Sequence, residues 1–280
     1  MLRLGGAARL LTGADLPALR PLLDRDPVAN CFVASRVESA GLDPWRLGAE
    51  LWGYGGSRLE AACFAGANLV PVGDAPAALA AFADRARRQG RRCSSIVGPA
   101  PAVAALWERL APHWGPAREV RATQPLLSTS RPPAVPPDPR VRRVGLAELD
   151  LLLPACVAMF TEEVGTSPLG NDNGAAYRAR VRDLVLSGRA FARIEAGEVL
   201  FKAELGAVSA RACQVQGVWV APAHRGRGLG TAGTAAVVAE ALRSVAPVVS
   251  LYVNDFNQPA RRAYERVGFD NVGTFSSVLF

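Results

Sequence analysis

The sequence predicts a mixed α/β protein built in two domains, and three observations carry that expectation. Apolar residues switch repeatedly between a helical and a strand period in both halves of the chain. The segment "RPPAVPPDPR" (131–140) holds five prolines in ten residues. Such a stretch is stiff and cannot enter a sheet interior, so it reads as a linker. The residues on either side, 1–130 and 141–280, are each long enough for a domain, and half of the 280 residues are apolar, enough for sizeable cores.

Element by element, Asp15 to Asp24 reads as a helix started by Thr12 and Asp15. "AELWGYGG" and "RLEAACFAGANLVPVG" read as two strands around a Gly-Gly turn. "PAALAAFADRARRQG" is a helix with Pro76 near its start and Gly90 past its end; "CSSIVG" is a short buried strand and "PAVAALWERLAPHW" a further helix. Past the linker, "GLAELDLLLPACVAMFTEEVG" is helical, with Pro154 expected to kink or divide it, and "GAAYRARVRDLVLSG" is a second helix. "RAFARIEAGEVLFKAELGAVS" reads as a hairpin around Ala196-Gly197. The strand "ACQVQGVWV", the Ala-rich helix "TAGTAAVVAEALRSV", the strand "VVSLYVND", the helix "QPARRAYERVG" and a last hairpin or strand complete the order. The similar rhythm of the halves suggests a distant internal duplication.

Composition narrows the function classes. No apolar run is long enough to span a membrane, and the N-terminus, with early charge, glycines and Asp15, makes a poor signal peptide, so a cytoplasmic location is expected. Five dispersed cysteines without a Cys-x-x-Cys argue against disulfides and structural zinc and for buried thiols. With only His113 and His224, no metal site and no His-based nucleophile is expected. The net charge of +7 is carried almost wholly by arginine, Lys202 being the only lysine. Without an Arg/Lys block interleaved with aromatics, nucleic acid is a weak expectation, and a polyanionic small molecule fits the charge as well.

The most informative stretch is "VWVAPAHRGRGLGT" (218–231). A strand that ends in a glycine-rich turn opening a helix makes an anion site, because the first helical N–H groups lack internal partners and the helix dipole is positive there. Glycines remove Cβ atoms that would block a phosphate, and Arg225 and Arg227 add charged donors. No Gly-Lys-Ser/Thr follows, and Glu240 lies inside the helix rather than at a strand end, so neither a Walker loop nor a dinucleotide fold is indicated. Downstream, "LYVNDFNQPARRAYERVGF" places Asn257 before a helix and Tyr264 within it. Taken alone, these read more readily as a helix cap and a core aromatic than as functional groups.

Together the two blocks resemble the GNAT superfamily of acyl-CoA-dependent N-acyltransferases. Arg225, Gly228 and Gly230 match its Arg/Gln-x-x-Gly-x-Gly/Ala turn, and Asn257, Ala260, Tyr264, Glu265, Gly268 and Phe269 match its later block. The resemblance implies acetyl-CoA as acyl donor, with no metal. It implies pantetheine along Val218, Trp219 and Val220, with the Val220 N–H as oxyanion donor, and a pyrophosphate cradled by Gly226, Arg227, Gly228, Leu229, Gly230 and Thr231. Asn257 would hold the far end of the pantetheine or assist the acceptor, and Tyr264 would protonate the departing thiolate. The glutamate that several members carry in the strand before the Asn is replaced here by Tyr252, so the general base is sought elsewhere: first at Glu204, whose apolar neighbours would raise its pKa, then at Glu163, with Glu162 beside it.

The first half has no such turn but a similar element order, so a tandem GNAT-like fold is expected. In that fold 1–130 is a degenerate accessory or substrate domain and 141–280 the catalytic one, as in actinobacterial members with an uncharacterised N-terminal domain. The acceptor would be a primary amine on a small molecule, a peptide N-terminus or a lysine. A non-catalytic acyl-CoA-binding regulator and an aminoacyl-tRNA-dependent transferase are the alternatives, and oligomeric state is left open.

Overall fold

The computed structural model describes residues 6–56, 58–170 and 173–280; the first five residues of the N-terminal stretch weighed against a signal peptide lie outside these. The chain opens with β1 (Arg9–Leu10) and a 3-10 turn in which the Asp15 carboxylate accepts the Thr12 backbone N–H at 2.8 Å, starting α1 (Leu16–Leu23). Next come α2 (Cys31–Ala40), α3 (Pro44–Leu47), β2 (Glu50–Gly55), β3 (Leu59–Ala65) and β4 (Asn68–Val72). The first half closes with α4 (Pro76–Gln89), β5 (Ser95–Pro99), α5 (Ala100–Trp114) and β6 (Glu119–Thr129). The run read as one strand over 58–73 is two, because the chain folds back at Gly66 and Ala67 to pair β3 with β4. Two elements carry no sequence signal: α2 has no side-chain N-cap bond, and β6 is polar at its start and carries Pro125.

The second half contains β7 (Arg142–Arg143), α6 (Leu149–Val164), α7 (Ala175–Leu186), β8 (Ala190–Glu195), β9 (Glu198–Val208) and β10 (Cys213–Val220). It ends with α8 (Leu229–Ser244), β11 (Val249–Tyr252), α9 (Gln258–Val267) and β12 (Asp270–Leu279). Helix α6 is not divided at Pro154; it runs unbroken with the proline inside. The predicted two-residue hairpin turn joins β8 to β9, with Ala196 at φ 48° and Gly197 at φ 79°.

These elements form two compact units that are not consecutive in sequence. The first comprises Met1–Leu126, Tyr252–Phe256 and Asn271–Phe280; the second comprises Leu127–Leu251 and Asn257–Asp270. The last ten residues therefore leave the expected C-terminal domain for the first unit, whose sheet runs β1-β2-β3-β4-β5-β12-β6. There β12 pairs antiparallel with β5 from Phe275↔Pro99 to Leu279↔Ser95. On its other side Leu279 C=O accepts from Arg118 N–H (2.8 Å), and Ser277 Oγ donates to Gln124 Oε1 (2.7 Å), while Gln124 Nε2 donates to Asn254 Oδ1 (2.9 Å). One face of this sheet packs Trp52, Phe82, Ile96, Leu106 and Val278; the other packs Leu19, Val33, Leu51 and Phe64.

In the second unit the sheet order is β11-β10-β9-β8-β7, with α6 and α7 packed on it through Leu149, Leu152, Cys156, Val181 and Val185. The proline-rich segment is not a free spacer. Ala134 N–H donates to Val267 C=O (2.9 Å) and Asp138 N–H to Ala232 C=O (3.0 Å), and the buried Asp138 carboxylate pairs with Arg193 at 2.7 Å. All five cysteines are buried.

The two halves repeat the order strand, helices, three strands, helix, strand, helix, strand. They also share a residue-level detail. Arg9 bonds Asp15, which accepts from the Thr12 N–H; Arg142 bonds Glu148, which accepts from the Gly145 N–H. All three positions are displaced by the same number of residues.

Candidate active site

Strand β10 is distorted where the site forms. Gln216 faces Glu204 on β9, but the next pair is Trp219 with Lys202, so β10 carries one extra residue there. Gly217 absorbs it at φ 59°, and a Cβ at that position would lie 2.9 Å from Lys202 Nζ. A bulge of this kind bends the strand and interrupts its ladder. On the other side, β10 pairs in parallel with β11 only at Cys213↔Val249 and Gln214↔Ser250. From Gln216 to Val220 the strand is half-buried, leaving an open edge that an extended ligand can complete.

The strand feeds a short 3-10 turn (Pro222–His224) and then Gly226 and Gly228, both in left-handed conformation (φ 75° and 81°), before α8 begins at Leu229. A Cβ at either glycine would meet nothing within 4 Å, so the space over the helix N-terminus is open. Gly228 provides no side-chain cap, so the first amides of α8, through Leu229, Gly230 and Thr231, have no helical partners. The helix lies close on β9, since a Cβ at Gly233 would stand 2.7 Å from the Phe201 ring. Of the two arginines, Arg227 is exposed, whereas Arg225 turns back: its Nε donates to Val220 C=O (3.0 Å) and its Nη2 pairs with Glu162 at 2.7 Å. Glu162 also accepts from Trp219 Nε1 (3.1 Å), so it braces the end of β10 against α6.

Tyr264 is buried on α9, edge-on to Phe269 at 6.0 Å. Burial pushes its phenol pKa up and the charge of Glu163 pushes it further, so the hydroxyl keeps its proton and the two groups sense each other. Glu163 is exposed near the end of α6. Asn257 caps α9, its side-chain oxygen accepting from Ala260 N–H at 3.2 Å. Tyr252 belongs to the first unit and stacks on Phe275 at 5.3 Å.

Glu204 corrects the expectation drawn from its neighbours. Burial alone would raise its pKa, but Lys202, Gln216 and Arg180 together lower it. Lys202 Nζ donates to Oε2 at 3.1 Å, Gln216 Nε2 to Oε1 at 2.9 Å, and Arg180 lies 3.7 Å from Oε1. Lys202 also reaches Cys156 Sγ at 3.6 Å. This buried network beneath the bulge escapes sequence reasoning because its members come from β9, β10, α6 and α7. Two signals do point to it: a lone lysine two residues from a glutamate in an apolar strand, and an isolated glycine in "QVQGVWV".

Among the described residues the first unit has no comparable turn. Only residues 73–75 join β4 to α4, against 221–228 between β10 and α8. Among the described residues no group of three or more His, Cys, Asp or Glu side chains could hold a metal, and no helix is long and apolar enough to cross a membrane.

A splayed strand pair, a bulge and an open glycine turn at a helix N-terminus form one continuous groove with an anion-binding end. Residues 186–269 match the family model of the Acetyltransferase (GNAT) family, and residues 49–152 match a domain of unknown function, DUF4081. The GNAT-family match thus lies in the second half of the chain, and the general chemistry of that family is acyl transfer. Among solved structures, a Drosophila protein is 12% identical with a TM-score of 0.70, covering 99% of each chain. A GCN5-related N-acetyltransferase from Sphaerobacter thermophilus is 16% identical with a TM-score of 0.58, over 100% of this chain and 97% of its own. A tandem GNAT protein from the clavulanic acid biosynthesis pathway is 15% identical with a TM-score of 0.54, over 97% and 98%. At these identities the likeness concerns the fold, and it extends over both halves. A search of curated proteins found no match.

Proposed function

We propose that the protein is an N-acetyltransferase that moves the acetyl group of acetyl-CoA to a primary amine by direct attack. The observation that carries this reading is the continuity of one strand edge with one anion cradle. β10 leaves β11 after Gln214, bulges at Gly217, and runs straight into the two left-handed glycines that open α8. Acetyl-CoA supplies an activated thioester and a pyrophosphate. The backbone of Val218 to Val220 receives the pantetheine as an added strand, and the Val220 N–H faces the developing oxyanion. Gly226, Gly228 and the first α8 amides take the pyrophosphate, Arg227 adds charge, and Arg225 shapes the turn through Glu162.

Proton handling falls to Tyr264 and Glu163. Tyr264 holds its proton through burial and gives it to the thiolate as the C–S bond breaks. Glu163, exposed and within electrostatic reach of Tyr264, takes the proton that the ammonium must lose before its nitrogen attacks. Glu204 is saturated by its partners, so it holds the bulge in place and does not act as the base.

Release of free thiol from acetyl-CoA across a panel of amines tests the proposal. The wild type should turn over at least one amine; Tyr264→Phe should lower kcat by at least about tenfold, within the range typical of general-acid catalysis, with KM for acetyl-CoA nearly unchanged. Gly228→Val should abolish coenzyme A binding by straining the turn. Wild-type turnover in Tyr264→Phe would remove the proton-donor assignment, and binding without turnover on any amine would favour a regulatory module.

A further inference from the structure

The network beneath the bulge in β10 holds two cations on one carboxylate. Lys202 Nζ donates to Glu204 Oε2 at 3.1 Å, and Gln216 Nε2 donates to Oε1 at 2.9 Å. Arg180, on α7, stands 3.7 Å from that same Oε1, too far for a hydrogen bond. Other arginines of this unit behave differently: Arg142, Arg143, Arg178, Arg193 and Arg225 hold their carboxylates at 2.6 to 3.0 Å. Among the described residues Arg180 makes no hydrogen bond and no second ion pair, and 58% of its side chain is exposed. Lys202 already neutralises Glu204 at close range, so the charge of Arg180 is surplus and open to an incoming group.

This guanidinium faces the place where an acceptor must approach. Its charge bears on Cys156, Tyr177 and Glu204 alike, each of which is governed first by burial. The network directly underlies the bulge: a Cβ on Gly217 would lie 2.9 Å from Lys202 Nζ, 3.1 Å from Met159 Cε and 3.2 Å from Glu204 Cδ. Met159 shares one face of α6 with Cys156, which meets Lys202, and with Glu163, whose charge Tyr264 senses. That face runs from the network, past the bulge, to the proposed base. About 10 Å of helix rise separates Cys156 from Glu163.

A surplus positive charge beside an amine's path repels a plain alkylammonium and leaves Arg180 without an anion. An acceptor that carries its own carboxylate removes both penalties. Resting on the acyl-transfer reading above, we propose that the acceptor is an aminocarboxylic acid whose carboxylate pairs with Arg180 while its amine lies between Glu163 and Tyr264. The planar guanidinium matches a carboxylate through two parallel hydrogen bonds, and one surplus charge balances one carboxylate. Because the two ends of the α6 face lie apart, amine and carboxylate are separated by several bonds. The chemistry is unchanged: the amine nitrogen forms the C–N bond, the C–S bond breaks, and the products are an amide, the coenzyme A thiol and a proton.

The test compares kcat/KM of the full-length protein for 4-aminobutanoate and 6-aminohexanoate with that for 4-aminobutanamide and 6-aminohexanamide. The amides keep chain and amine but lose the negative charge. Wild type should favour at least one acid over its amide by about tenfold or more, as a hydrogen bond between charged groups allows. Arg180→Gln should lower kcat/KM for that acid by about tenfold or more, chiefly through KM, and leave the amide within about twofold. The KM for acetyl-CoA should not move, and Arg180→Lys should restore part of the acid preference. Equal use of acids and amides by the wild type overturns the proposal, as does an acid preference untouched by Arg180→Gln; either result leaves N-acetyl transfer standing. An equal loss on acid and amide in Arg180→Gln marks a structural role and overturns it too. Turnover of no amine at all removes the acyl-transfer reading and this inference with it.

Discussion

Lys202, the only lysine of the chain, is 1% exposed, and it donates to Glu204, which also accepts from Gln216. Breaking such a buried pair from one side typically costs about 3–5 kcal/mol, so Glu204 is committed to structure before any chemistry begins. The sequence shows a carboxylate in an apolar strand, but it does not show the counter-charges, because Arg180 and Gln216 arrive from α7 and β10. The glycine turn and the place of Tyr264 on a capped helix were readable for the opposite reason: both depend on short-range spacing that the motif itself records. Acid sensitivity also belongs at this scale. The Glu148 carboxyl, whose ordinary value is 4.5, is held down to about 2 by its Arg142 bonds and then by the Gly145 N–H. A lowered folded-state pKa stabilises above the unfolded value and is lost as pH falls through the folded one. Glu148→Gln should therefore be less stable than wild type at pH 7, and the gap should close between pH 4.5 and about 2, as read from urea midpoints across that range.

Among the elements, those with their own start and stop signals were legible, such as α4 between Pro76 and Gly90 and the hairpin around Ala196-Gly197. Helix α2 and strand β6 were not, since packing against the rest of the first unit stabilises them more than any cap or period does. The bulge in β10 lies between these cases, announced by Gly217 but with its register set by β9. The β8–β9 turn invites an element-level test. Ala196 sits at φ 48°, a conformation that costs an L-residue with a Cβ roughly 1 kcal/mol and that asparagine tolerates. Ala196→Asn should stabilise the protein by ~1 kcal/mol without altering turnover, measurable as a higher urea midpoint at constant m-value. An unchanged midpoint would mean the turn relaxes at no cost.

At the level of the molecule, the tandem plan was legible in the repeated rhythm of elements, and the Arg9/Asp15 and Arg142/Glu148 clasps stand at the same place in the two halves. The exchange of the last strand was not, because "FDNVGTFSSVLF" reads as a strand whichever sheet receives it, and its choice is made by pairing with β5, far away in sequence. Removing residues 271–280 should therefore damage the first unit, opening the sheet between β5 and β6 and exposing the core around Val278. The truncated chain should show loss of the cooperative thermal transition in calorimetry, and an unchanged transition would contradict the placement of β12. The same placement has a consequence for biosynthesis. The amino-terminal unit cannot close its sheet before residues 271–280 have been made, so its leading stretch cannot mature alone. The nascent first half stays incomplete until β12 has followed and paired with β5.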